Sequence, residues 1–262
     1  MTIAGSDCSG GAGIQADLKT FSAHGTFGMS VIVSVVAENT SRVISIQDIS
    51  PEIIKDQIDA IFDDITVDGV KIGMLSGIDS MKAVAEKLRE YKPKNVVIDP
   101  VMIAKGGCAL MQPNALKTLI NEIIPLAFML TPNIPEAETI TGMKILSIED
   151  MKKVAAAIHK MGTKNVLIKG GHSDGDAEDI LFDGQEFYSY NTKRINTKNT
   201  HGTGCTFSSA ITANLANGMD VTKAVKCAKD YVTMAIEHAL PIGKGHGPTN
   251  HFYKLYKDGG IL

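Results

Sequence analysis

The stretch Asn199-Thr200-His201-Gly202-Thr203-Gly204-Cys205 sets two glycines and a cysteine directly before a small-residue helix read over 206–217. The first amides of a helix have no intrahelical partner and lie at the positive end of its dipole. Gly202, Thr203 and Gly204 therefore form an anion cradle. The same field lowers the pKa of a thiol, which makes Cys205 a candidate proton acceptor. An anion cradle beside a base suits phosphoryl transfer. A glycine-softened turn over a buried cysteine is the competing reading, and the motif alone does not separate the two.

Other residues with chemical potential are scattered along the chain. Gly11-Ala12-Gly13-Ile14-Gln15-Ala16 matches the dinucleotide pattern G-x-G-x-x-G/A, with Glu38 at the distance of its ribose-binding acid, so an NAD oxidoreductase is one candidate. Against it, six residues separate Ala4 from Gly11, whereas the dinucleotide glycines follow their strand immediately. The alternative is a loop that holds a small polar substrate, with Asp17, one turn into the following helix, either facing it or standing at the surface. Asp99 follows the apolar run 96–98 and could hold Mg²⁺ together with substrate phosphates. Asn133 and Glu136 share a face if a helix begins at Pro135; otherwise they are a cap and a first-turn acid. Lys169 ends an apolar strand, where an ammonium is expensive to bury without an anion such as a triphosphate. His172 is a further loop candidate, and the glycine-rich tail 243–248 reads as a turn.

The elements that would position these residues alternate. Strands are expected at 29–37, 69–74, 95–99, 127–130 and 165–169, and an antiparallel hairpin at 178–182 and 186–190. Helices are expected after Ala12, after Pro51, over 151–161 behind a Ser147/Asp150 capping box, and over 223–238. The alternation implies a three-layer α/β/α sandwich on a mostly parallel sheet, in a single domain. Ligands gather at the carboxyl ends of such strands, which brings Glu38, Asp99, Asn133, Glu136 and Lys169 to one crevice.

With 262 residues, 44% hydrophobic, a net charge of −3 and no basic run, the chain has the make-up of a globular protein without a nucleic-acid surface. No apolar stretch reaches bilayer-spanning length. Cysteines 8, 108, 205 and 227 lie too far apart for a zinc motif, consistent with a reduced, cytoplasmic protein.

The opening Gly5-Ser6-Asp7-Cys8-Ser9-Gly10-Gly11-Ala12-Gly13-Ile14-Gln15-Ala16-Asp17-Leu18-Lys19-Thr20-Phe21 resembles the signature of hydroxymethylpyrimidine/phosphomethylpyrimidine kinases of thiamine biosynthesis. Lys71-Ile72-Gly73-Met74-Leu75, Asp99-Pro100-Val101-Met102, Thr131-Pro132-Asn133, Lys169-Gly170-Gly171-His172 and the Asn196–Cys205 stretch match in the same order. The resemblance implies a ribokinase-like fold, ATP with Mg²⁺, and two successive phosphorylations of an aminopyrimidine. It implies that Gly5, Asp17, Glu38, Met74 and Val101 line the pyrimidine pocket. Asp99 and Glu136 would serve the metal, while Asn133, Lys169 and Thr203 would contact ATP. Gly202, Thr203 and Gly204 would form the anion hole, with Cys205 as base. A cytoplasmic homodimer is expected. Glu38 stands where many members have glutamine, so it should accept, but not donate, hydrogen bonds. Cys108 falls a few residues after the cysteine of some pyridoxal-active relatives, which keeps pyridoxal kinase as the runner-up. The first apolar run is short, as if its strand began upstream.

Overall fold

The computed structural model describes residues 1–104, 107–171 and 177–261. His172 lies outside the described residues. Among the described residues, nine strands form one sheet in the order β3-β2-β1-β4-β5-β6-β7-β8-β9. They are β1 (Thr2–Asp7), β2 (Ser30–Glu38), β3 (Val43–Asp48), β4 (Val70–Ile72), β5 (Val96–Ile98), β6 (Met129–Leu130), β7 (Asn165–Ile168), β8 (Ala177–Phe182) and β9 (Phe187–Thr192). Pairings from β2 through β7 are parallel, while β3, β8 and β9 join antiparallel at the two edges. The mostly parallel sheet and the edge hairpin match the sequence expectation.

The helices are α1 (Gly13–Ala23), α2 (Pro51–Phe62), α3 (Ile78–Tyr91), the single turn α4 (Leu116–Thr118), α5 (Ile134–Thr141), α6 (Ile148–His159), α7 (Thr203–Ala216), α8 (Val221–Glu237) and α9 (Tyr253–Asp258). One apolar core packs α2, α3, α5 and α6 against one face of the sheet through Ile54, Ile58, Met81, Val84, Ile140, Val154 and Ile158. A second packs α7 and α8 against the other face through Val97, Leu167, Phe207, Ile211, Val225 and Val232. Layers on both faces follow from strands β4 to β7, which are buried on both sides and contain almost no polar residue.

Local signals explain several helix starts. Ser147 accepts from the Asp150 amide and donates its hydroxyl to the Asp150 carboxylate, but the backbone amide bonded to that carboxylate is Leu146 N, so the cap forms without the reciprocal bond of the expected capping box. Asn133 and Glu136 form a full reciprocal box, with Pro135 in the first turn. Several elements lie outside the sequence expectation, the short helices α4 and α9 among them. Strand β1 runs to Asp7, beyond the short apolar run, because its polar end lies inside the sheet. Strand β3 is almost wholly exposed along the sheet edge, so burial leaves no strong alternation in it. Helix α3 starts at Gly77 without a capping side chain.

The chain leaves β1 first toward β2 and then, after β3, returns to β4 on its other side. This reversal of direction opens a crevice at the carboxyl ends of the central strands.

Candidate active site

That crevice is a cleft of about 670 Å³, within the size range of small-molecule sites. At one end lie Gly5 and Ser6 of β1, Glu38 closing β2, Met74 after β4 and Val101 after β5; at the other lie Asp99, Asn133, Glu136, Lys169 and the start of α7 from Gly202 to Cys205. Sequence reasoning placed every one of these except Ser6.

The two carboxylates and the lysine interlock. Lys169 Nζ donates to Asp99 Oδ1 at 2.6 Å, and the Lys169 backbone amide donates to Pro132 O at 2.8 Å. The anion that stabilises the buried ammonium is therefore a side chain of the chain itself. Burial works against the charge on Lys169, but Asp99 and Glu136 more than offset it and hold its pKa above the ordinary value. Glu136 accepts from the Asn133 amide at 2.8 Å, so it caps α5 while it lines the cleft. Burial and the nearby Asp99 push its carboxyl up to about 7 against the pull of Lys169.

Helix α7 begins against this group. A Cβ on Gly204 would stand 3.1 Å from Asp99 Oδ2 and 3.5 Å from Lys169 Nζ. Gly202 has φ +76°, and a Cβ there would lie 1.8 Å from Gly11 O, so this position of the turn tolerates no side chain. Asp99 and Glu136 supply hard oxygen donors on one wall of the cleft, a set that suits Mg²⁺ shared with phosphate oxygens.

Three expectations need correction. Asp17 is not on the cleft wall. It is fully buried beneath it, accepting from Thr2 Oγ1 at 2.6 Å, Lys71 Nζ at 2.9 Å and Ser209 Oγ at 2.7 Å. A buried lysine in β4 needs a counter-ion, and Asp17 provides it.

The half-buried Cys205 thiol is not activated by the helix start. Burial pushes its pKa up to about 11, with Asp17 and Asp99 adding to the rise, against the opposing pull of Lys71 and the Gly13 amide. Desolvation outweighs the local field.

Glu38 also departs from expectation. Burial, and then the Asp7 charge, push its carboxyl up to about 7, with His201 pulling it down. Near neutrality a substantial fraction is protonated and able to donate.

The first loop carries no dinucleotide cradle. Its amides are taken by Asp7, whose Oδ1 accepts from Ser9 N at 2.7 Å and whose Oδ2 accepts from Gly11 N at 3.0 Å and Ala12 N at 2.8 Å. A phosphate would meet a carboxylate there. His201 Nε2 lies 2.9 Å from the same Asp7 Oδ2. Asp7, Glu38 and His201 bring ligating atoms within 4.8 Å of one another, the one such group of three among the described residues. Oδ2 of Asp7 already meets three nitrogens and Oδ1 a fourth, so both oxygens are engaged in holding the loop, which disfavours a metal there. Sequence reasoning assigned no role to Asp7, His201 or Lys71. Only Lys71 carried a local signal, as a charge inside an apolar strand.

The tail 243–248 is a strap as well as a turn. Gly245 N and His246 N donate to Thr40, and His201 N donates to Gly247 O.

A family profile described as phosphomethylpyrimidine kinase matches residues 7–250. The chain belongs to this family. A hydroxymethylpyrimidine/phosphomethylpyrimidine kinase of Bacillus subtilis is 50% identical over 254 residues, covering 96% of this chain and 94% of that protein. A thiamine biosynthesis bifunctional protein of Geobacter sulfurreducens is 51% identical over 96% of this chain, and the chain spans about half of its length. Among solved structures, a phosphomethylpyrimidine kinase from Clostridium difficile is 52% identical, covers 90% of this chain and 97% of its own, and has a TM-score of 0.82. A Bacillus subtilis pyridoxal kinase in complex with ADP is 40% identical, covers 97% of both chains, and has a TM-score of 0.90. The ribokinase-like α/β/α fold of the phosphomethylpyrimidine kinase family is thus confirmed, and the dinucleotide reading is set aside.

Proposed function

We propose that this chain is one catalytic domain that uses ATP to phosphorylate 4-amino-5-hydroxymethyl-2-methylpyrimidine, and then its monophosphate, in thiamine biosynthesis. The observation that carries the reading is the pairing of family membership across residues 7–250 with a cleft that has Glu38 at one end and Lys169, Asp99 and the start of α7 at the other. A half-protonated Glu38 suits the aminopyrimidine edge, where the ring amino group donates and the adjacent ring nitrogen accepts.

In the first step the hydroxymethyl oxygen attacks the γ-phosphorus of ATP, the bond from that phosphorus to the β,γ-bridging oxygen breaks, and ADP leaves. The thiolate form of Cys205 takes the hydroxyl proton, becoming the thiol, as the oxygen–phosphorus bond forms. Lys169 offsets charge on the phosphates, and the amides from Gly202 to Cys205 hold the transferring group. Mg²⁺, held by Asp99 and Glu136, would supply charge neutralisation between neighbouring phosphates. In the second step the attacking monoester oxygen, with a second pKa of about 6, is already ionised at neutral pH, so no strong base is required.

Pyridoxal phosphorylation is the second reading, favoured by the similarity to solved pyridoxal kinases. Parallel assays of ATP consumption with the hydroxymethylpyrimidine, its phosphate and pyridoxal separate the two. Turnover of both pyrimidines above pyridoxal supports the first reading, and turnover of pyridoxal alone overturns it. Assembly as a homodimer is part of the proposal, supported by the edge strand β3, on which Ile44 and Ile46 are exposed. Cytoplasmic residence is supported by four free thiols.

A further inference from the structure

We infer that His201 is a positioning residue, linking the loop that holds the pyrimidine to the turn that holds the phosphoryl group. The inference rests on the proposed kinase reading and names a device within it.

The link has three parts. His201 is buried, and its Nε2 meets Asp7 Oδ2 at 2.9 Å, although the two residues are 194 apart in sequence. Asp7 is the residue that gathers the first loop, through the amides of Ser9, Gly11 and Ala12. His201 is directly followed by Gly202, which opens the anion turn against Gly11 O. The imidazole also packs on the loop itself, since a Cβ on Gly11 would lie 2.4 Å from His201 Cδ2. One side chain thus fixes the spacing between the turn at Gly202 and the loop that follows Gly5. An acceptor hydroxyl and a γ-phosphorus held by these two segments must meet within a fraction of an ångström, and a displacement of about 1 Å lowers transfer roughly 10²-fold.

The same pair acts on Glu38. The titratable groups beside Glu38 are Cys8, whose Sγ hydrogen-bonds its backbone, Asp7, from the end of β1, and His201, from the turn before α7; Asp7 raises the affinity of the Glu38 carboxyl for a proton and a protonated His201 lowers it. Cutting the link from either side should therefore damage transfer alike while moving Glu38 in opposite directions. A residue that merely stabilises the fold would not produce opposite shifts.

The test uses His201→Gln and Asp7→Asn, both of which keep polar atoms near the broken contact so that the loop can still close. The titration midpoint of Glu38 is read by carboxyl ¹³C NMR on the ligand-free protein, and kcat and KM are read for both phosphorylations. His201→Gln should raise the midpoint and Asp7→Asn should lower it. Both should lower kcat for the two steps, by up to about 10²-fold, with the KM for ATP within about twofold. Unchanged kcat in both variants, midpoints moving in the same direction, or a loss confined to the KM for ATP overturns the inference. The NMR measurement does not depend on any substrate. A wild-type chain that phosphorylates neither pyrimidine refutes the functional reading, and the midpoints still report on the Asp7–His201–Glu38 link.

Discussion

Asp99 Oδ1 and Lys169 Nζ meet at 2.6 Å across the ends of β5 and β7, with β6 between them. Their side chains are 2% and 14% exposed, so each is the main charge balance of the other. Breaking a buried pair leaves one uncompensated charge and typically costs about 3–5 kcal/mol, whereas replacing both members is far milder. Asp99→Asn and Lys169→Met should each lower the unfolding free energy by about that amount. The double variant should recover most of the loss, as measured by urea denaturation, yet phosphorylate neither substrate. An inactive and equally unstable double variant would show that the pair is not the source of the cost.

Asp17 invites a different outcome. Its two oxygens are held by Thr2, Lys71 and Ser209 beneath the cleft, and no part of it lines the cavity. Asp17→Asn leaves the Lys71 ammonium buried without its counter-ion, so the variant should lose about 3–5 kcal/mol of stability. The KM for the pyrimidine, measured below the lowered melting temperature, should stay within about threefold of wild type. A large rise in KM with stability intact would return Asp17 to the substrate pocket.

The contrast between these two pairs shows what a sequence discloses. Strand β5 and the cap at Asn133 and Glu136 rest on local signals: an apolar run, and an acid three residues after a capping side chain. Lys169 was readable because an ammonium at the end of an apolar strand needs an anion, although the identity of that anion was not. Lys71–Asp17 and Asp7–His201 join residues 54 and 194 apart, and nothing in local spacing selects such partners. The thiol of Cys205 was misjudged for the same reason. Its helix start is local, but the burial and the two carboxylates that outweigh it come from the folded surroundings.

Glu38 gives a stability that depends on pH. Its carboxyl sits at about 7 in the folded chain, raised by burial and Asp7 from the ordinary 4.5. Between pH 4.5 and 7 the folded state holds the proton that the unfolded state has released, so this group makes stability fall as pH rises through that window. Glu38→Gln removes the titration. The variant should match wild type below pH 4.5 and exceed it at pH 8, by a margin that develops between those limits. Thermal melting at a series of pH values reads the difference, and a margin independent of pH would contradict the assignment.

Cys205 carries the sharpest test of the proposed mechanism. A base whose pKa is about 11 is mostly protonated at pH 7, so the step that needs it should accelerate as pH rises from 7 toward 10. That step is phosphorylation of the alcohol. The monoester oxygen, ionised above about pH 6, should show no comparable rise. Cys205→Ala should accordingly slow alcohol phosphorylation by about 10²–10⁴-fold and leave phosphate phosphorylation much less affected. Separate initial rates for the two substrates across pH 6–10 check both statements. Equal losses in the two steps, or parallel pH profiles in the wild-type chain, would place the proton on some group other than this sulfur.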